Sequence, residues 1–395
     1  MIENRILRNL EERRLRVLNG QINSIPCPFK RFSEDFLGIE QGKYYLVTGG
    51  TKSSKTQLSS YLFLYTPLMY AFEHPDKLRL KVFYYNLEES KEDIIIRFMC
   101  YLLYTKDGIK ISPTDLKSSK NNKAVDQAIL ERLSSEEFQK ILDFFDKTVT
   151  FGDSANPTGI NKETLSYVES HGKTYYKTYY KEEKDANGFV LGRTEHRTFD
   201  YYVPDDPEEY RILFVDHVSL LSVERDFTLK KTIDKLSEYC VLLRNRYKVI
   251  PVIIQQQSLE QESTSAINSN RVRPSLVNLS DSKYTARDAN VVLGIFSPQR
   301  FEIPDYKGYN IKVLRDNVRF LELIINRGGS PGGLIALYFD GAVNFFRELP
   351  LPSDKEAMNK VYTYLRNTQN LLLTAITTTV KSCYTFISKQ KIKRI

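Results

Sequence analysis

The sequence predicts an α/β fold, with a mainly parallel central sheet flanked by helices and one inserted β-hairpin. Three observations carry that expectation. Short, almost wholly apolar runs alternate with segments of helical periodicity, the pattern of strands buried on both faces. One such run enters a glycine-rich turn and emerges in an apolar helix. Several others end in an acid or a glutamine, where a parallel sheet presents its carboxyl edge to a ligand.

The elements follow in order. Ile6, Leu7, Leu10, Leu15, Val17 and Leu18 recur at helical spacing among Arg and Glu, so an amphipathic helix ends at Gly20. Packing on its own domain and docking on a neighbouring subunit explain that face equally well. "KYYLVTGG" is a buried strand running into a turn, and "TQLSSYLFLYTPLMYAFE" a core helix. "LKVFYYNLEES" is a strand ending in acids, followed by the helix "KEDIIIRFMCYLLYT". "ERLSSEEFQKILDFF" reads as one helix, "TVTF" as a short strand and "INKETLSYVES" as another helix. "YRILFVDHVSLL" is a strand closed by an aspartate, "LKKTIDKLSEYCVLLRNRY" a long helix, and "KVIPVIIQQQ" a further strand. "DANVVLGIF", "RFLELIINR" and "LIALYFD" supply the rest of the sheet.

Two segments stand outside that rhythm. Residues 171–207 hold two Tyr/Thr-rich runs around Asn187-Gly188, a strong hairpin signal. Lysine interleaved with tyrosine can stack on bases, but a ribbon edge kept soluble by lysine is the favoured reading. The hairpin enters the Asp216 strand at its N-terminal end, so no contact with a ligand at the carboxyl edge is expected. The C-terminal run, Thr-rich and then basic, reads as an appendage over 351–395.

The 395 residues are 41% apolar, ample for a sizeable core. Fifty-seven Lys+Arg against 49 Asp+Glu give +8, a mild excess compatible with a polyanion partner. The scattered Cys27, Cys100, Cys240 and Cys383 and the four histidines make no metal-ligand spacing, and a disulfide framework is not expected. The N-terminus is too charged for a signal peptide and no run is long enough to span a bilayer, so the expectation is a soluble protein of a reducing compartment.

The chemistry starts at Gly49-Gly50-Thr51-Lys52-Ser53-Ser54-Lys55-Thr56, one substitution away from the phosphate-binding loop Gly-x-x-x-x-Gly-Lys-[Ser/Thr]. Ser54 stands where the second glycine belongs. Main-chain N–H groups of such a turn hold phosphates at a helix N-terminus. Lys55 would reach the β- and γ-oxygens of ATP, and the Thr56 hydroxyl would sit on Mg²⁺. Downstream, Glu88 closes a strand, placed to polarise an attacking water. Asp216 follows four apolar residues as the Mg²⁺-side carboxylate. Gln255–Gln257 end a strand as polar groups able to sense a γ-phosphate, and Arg327 stands at a glycine-rich turn from which an arginine finger could project. Each has a bland alternative (helix-end acid, turn cap, solvated strand end, surface ion pair); in this order and at strand ends, the functional reading prevails.

From about residue 18 to 349 the chain resembles the RecA-like motor domain of DnaB-type replicative DNA helicases. "FYYNLEESKEDIIIRF" resembles that family's "FFSLEMS…R" segment, which implies Glu88 as catalytic base. "LFVDHVSLL" resembles its "VVDYLQL" strand, and "VIPVIIQQQSLEQ" its "VPVIALSQL" strand, placing Gln257 on the sensor glutamine. "RPSLVNLSDSKYTARDANVVLGIF" and "LIINRGGSPGGLIALYFDGAVNFF" resemble the last two blocks of its pattern, putting Arg327 on the finger residue. Ser54, Ile325 and Ser280 depart from a glycine, a lysine and an arginine of the family pattern, and its separate N-terminal helical domain has no counterpart here.

The resemblance implies a RecA-like P-loop NTPase over 21–350, with the helix of 1–20 as linker. It implies ATP and Mg²⁺ at the interfaces of a homo-hexameric ring in the cytoplasm (a host's, if phage-encoded). Single-stranded DNA is the expected substrate, and primase or a helicase loader the further partner. Arg271 and Arg273, in "NSNRVRPS", are candidate DNA-phosphate contacts, a solvated loop being the equal alternative. A RecA- or KaiC-like ATPase without processive unwinding, and a catalytically weakened scaffold, are the rival readings. A glycine restored at position 54 is expected to leave ATPase activity intact or raise it.

Overall fold

In the computed structural model, residues 2–184, 186, 189–268 and 272–367 are described. Eleven strands are labelled here in chain order: β1 Tyr45–Gly49, β2 Arg79–Asn86, β3 Val149–Phe151, β4 Gly172–Lys184, β5 Val190–Pro204, β6 Glu209–Asp216, β7 Ile250–Gln256, β8 Val291–Phe296, β9 Val318–Asn326, β10 Leu334–Asp340 and β11 Phe345–Glu348. Nine of them form one sheet in the order β11-β10-β9-β8-β1-β7-β6-β2-β3. From β8 to β3 every pairing is parallel, whereas β9, β10 and β11 add to one edge antiparallel.

Alternation along the strands explains why both faces are covered. In the run entering β1, Tyr45 and Val47 point into one core layer, while Tyr44 and Leu46 point into the other. The first layer is closed by α2 (Lys55–Ser60, continuing through a π-turn at Tyr61–Tyr65 to Thr66–Glu73), α3 (Lys91–Asp107) and α4 (Glu136–Thr148). The second is closed by α5 (Pro157–Ser170) and α6 (Leu229–Tyr247). The π-turn precedes Pro67, whose missing N–H interrupts the regular ladder there.

Three details differ from the sequence expectation. "ERLSSEEFQKILDFF" is not one helix: it breaks at Ser134-Ser135, with Ser135 as the N-cap of α4, because serine favours caps over helix interiors. A strand over Phe345–Glu348 extends the antiparallel edge. Beyond it, a helix over 355–367 buries Met358 and Leu365 in a third apolar cluster with Val318, Phe320 and Leu349. Packing therefore continues past residue 350; residues 368–395 of the expected appendage lie outside the described residues.

The hairpin forms as expected, β4 pairing antiparallel with β5, with Asn187-Gly188 outside the described residues. It is a separate ribbon that leads into the N-terminal end of β6, anchored where the Tyr202 hydroxyl donates to the Val168 and His171 carbonyls. The N-terminal helix, α1 (Ile2–Leu18), is held by its polar face: Arg16 pairs with Glu208, and Arg13 lies 3.3 Å from Glu40. Among the described residues its apolar face is largely exposed, with Leu7 at 62% and Leu10 at 58%. No described helix is long and apolar enough to cross a membrane.

Candidate active site

A cavity of about 570 Å³ opens at the carboxyl edge of the parallel strands. Its floor is the loop after β1. Gly49 must be glycine there: a Cβ would stand 2.5 Å from Ser53 Oγ and 2.6 Å from the Ile295 carbonyl. The loop then turns through Lys52 (φ 55°) and Ser54 (φ 73°), both left-handed, and enters α2 at Lys55. Thr51, Lys52, Ser54, Lys55 and Thr56 all line the cavity, so the N-terminus of the helix that begins there faces it. Lys55 Nζ donates to the Gly50 carbonyl at 2.9 Å, folded back on its own loop.

Ser54 thus occupies the backbone conformation that glycine ordinarily supplies. A left-handed residue with a Cβ costs about 1–2 kcal/mol. The Ser54 hydroxyl accepts a hydrogen bond from Arg319 Nε at 3.2 Å. A hydrogen bond to a charged group contributes about 1.5–3 kcal/mol, enough to offset the backbone strain.

The next strands bring the acids. Asn86 ends β2, and its side-chain oxygen accepts from the backbone N–H groups of Glu88 (3.2 Å) and Glu89 (3.3 Å), fixing the turn that carries both. Glu89 is tied to Arg97 of α3. Both acids line the cavity, but Glu89 is held by that arginine, while Glu88 lies 4.0 Å from His217 Nε2. Burial lowers the His217 pKa, which keeps that ring neutral at pH 7. Of the two acids, Glu88 is the one able to meet a water in the cavity.

Asp216 ends β6 fully buried, its Oδ1 accepting from Thr56 Oγ1 at 3.2 Å. Among the described residues its Oδ2 is buried with no hydrogen-bond partner, and burial raises its pKa to about 7. An orphaned carboxylate oxygen beside a threonine hydroxyl is a donor set suited to a hard divalent cation, so Thr56 and Asp216 fit Mg²⁺.

Not every expected residue lies in the cavity. Gln257 is buried away from it: its Nε2 donates to Thr48 Oγ1 at 2.8 Å, and its Oε1 accepts from the Ser275 N–H. Gln256 takes that place, lining the cavity and donating to Thr51 Oγ1 at 2.7 Å. The difference is one residue in a strand, which reverses the side a residue faces. Arg273 makes 2.6 Å contacts to both carboxylate oxygens of Glu322, an ion pair within the chain instead of an offered phosphate contact; Arg271 lies outside the described residues. Arg327 is exposed and bonds the Arg287 carbonyl. It is not among the cavity residues, because β9 runs antiparallel and carries it to the opposite edge of the sheet. Arg97, the closing arginine of the "FFSLEMS…R" resemblance, also lines the cavity, as do His217, Arg319 and Phe339, which the sequence does not single out.

No protein-family model matches the chain, and no curated protein does. Among solved structures, one described as an ATPase domain is similar with a TM-score of 0.58 at 15% identity, over 89% of this chain and 99% of that one. A DnaB-like replicative helicase, described with its interactions with primase, is similar with a TM-score of 0.57 at 15% identity. That match covers 83% of this chain and 64% of the helicase chain. Both likenesses are of architecture: the chain shares its α/β fold with these two proteins.

Proposed function

We propose that this chain is an ATP-driven DNA helicase motor that hydrolyses ATP between the subunits of a ring and translocates on single-stranded DNA. The observation that carries the reading is the convergence of Lys55, Thr56, Glu88 and Gln256 on one cavity, with Asp216 bonded to Thr56 at its wall. That is the set a phosphoryl-transfer site requires, a cation and N–H cradle for phosphates with an acid for water.

Mg²⁺, when bound, would neutralise charge on the β- and γ-phosphates. Thr56 and Asp216 would hold it, Lys55 would swing from the Gly50 carbonyl to the phosphates, and Glu88 would orient and deprotonate the attacking water. Gln256, bonded to the phosphate loop, is placed to report the γ-phosphate to the segment that follows β7. Loops after β6 and β7 are the proposed DNA-facing elements.

Two features support assembly. The apolar face of α1 is largely exposed, as a helix docking on a neighbour requires. Arg327 lies eight residues along β9 from Arg319, roughly 26 Å at strand rise, beyond reach of its own cavity. It can serve as a finger only for a neighbouring subunit. A heterologous, ring-closing contact, with six copies as the resemblance implies, satisfies both. A primase or loader contact is carried over from the solved relatives' family alone.

The test is ATP turnover with and without single-stranded DNA, alongside strand separation of a forked duplex. DNA-stimulated hydrolysis with unwinding is the expected result. Hydrolysis without unwinding points to a RecA- or KaiC-like ATPase, and no hydrolysis to a scaffold.

A further inference from the structure

The departure at Ser54 has a partner beside it in the cavity wall. Arg319, at the start of β9, is 5% exposed yet lines the cavity. Its guanidinium is held on three sides. Nε donates to Ser54 Oγ, and Nη1 donates to the Asp316 and Val318 carbonyls, both at 2.8 Å. The group lies over the Phe339 ring at 4.6 Å, and Phe339 in turn stacks on Phe346. Among the described residues Nη2 has no hydrogen-bond partner, and Arg319 has no carboxylate in salt-bridge contact. A buried cation without a counter-ion is costly, and burial lowers its pKa to about 10, which still leaves it charged at pH 7. Such a group is retained where an anion completes it.

We propose that Ser54 and Arg319 form a second phosphate-binding element of this site, in which Ser54 positions Arg319 to contact the phosphate chain of a nucleoside di- or triphosphate. The inference rests on the nucleotide-site reading above. It assigns a role to a serine that otherwise looks like damage: the side chain whose Cβ strains the loop carries the hydroxyl that aims a guanidinium at the helix N-terminus where phosphates bind. A preformed, packed guanidinium loses little freedom on binding.

The experiment is titration of ADP and of Mg-ATP, by calorimetry, into the full chain and into Arg319→Met, Arg319→Lys, Ser54→Ala, Ser54→Gly and Ser54→Ala/Arg319→Met. Lys55→Ala serves as control, and melting temperatures are taken without nucleotide. Arg319→Met is expected to weaken binding at least tenfold and Arg319→Lys less. Ser54→Ala should cost a few-fold, and nothing further once Arg319 is gone. Ser54→Gly separates strain from function: relieved strain and the lost hydrogen bond should nearly cancel in the melting temperature, while nucleotide binds a few-fold more weakly. Inorganic tripolyphosphate should lose affinity in Arg319→Met in parallel with ATP.

Binding within twofold of wild type in a folded Arg319→Met chain, with Lys55→Ala impaired, overturns this assignment alone. If Lys55→Ala is also neutral, or wild type binds no nucleotide, the nucleotide-site reading falls with it. Should Arg319→Met not fold, Arg319→Lys and Ser54→Ala decide: wild-type affinity in both overturns the proposal.

Discussion

The two ends of strand β9 carry arginines in opposite circumstances. Arg319 is buried at the cavity edge, fixed by Ser54, two carbonyls and Phe339. Arg327, at the other end, is exposed on a glycine-rich turn and bonded to the Arg287 carbonyl. On the proposed reading, Arg319 belongs to its own subunit's site and Arg327 to a neighbour's, so the cis half of the catalytic arrangement would be built into the monomer and the trans half would depend on assembly.

Four variants sharpen or break that division. Arg327→Ala should lower DNA-stimulated turnover by roughly 10³–10⁵-fold with nucleotide affinity preserved, measured by steady-state hydrolysis beside calorimetry. Equal loss of affinity would move Arg327 into the cis half. Glu88→Gln should cost about 10²–10⁴-fold in turnover, again with binding intact, and single-turnover kinetics would place the loss in the chemical step. Leu7→Glu combined with Leu10→Glu leaves the monomer's stability within about 0.5 kcal/mol, because both side chains are more than half exposed. Sedimentation should nevertheless show loss of the assembled species. Smallest is Tyr202→Phe at the hairpin root, which removes one O–H shared between two carbonyls and the acceptor of Arg211 Nη1, and should cost about 1–2 kcal/mol of stability by denaturant unfolding. Turnover should not change, since the ribbon is remote from the carboxyl edge.

Much of this arrangement was legible in the sequence, for physical reasons that also mark where legibility stopped. Strands buried on both faces appear as continuous apolar runs, so the parallel sheet and the positions of Glu88 and Asp216 at its strand ends could be read directly. Three consecutive glutamines could not be told apart, because facing alternates with each residue and only the paired register shows that Gln256 points to the loop. Arg273 looked like an available cation until its carboxylate partner, Glu322, was seen across the fold. Arg319 read as the first residue of an ordinary strand. Its partner Ser54 is 265 residues away in the chain, a separation at which no local pattern survives. The glycine replacement was visible at once; what it binds was not.

The central claim, that this catalytic site is completed by an arginine from a neighbouring subunit, is most directly tested by mixing two inactive chains. Lys55→Ala lacks the cis cation and Arg327→Ala lacks the trans finger, so each alone should hydrolyse ATP at background rate. Mixed in equal amounts and allowed to reassemble, about a quarter of randomly formed heterologous interfaces should pair an intact Lys55 with a neighbour's intact Arg327, restoring DNA-stimulated turnover. A mixture no more active than the sum of its two components would contradict the account.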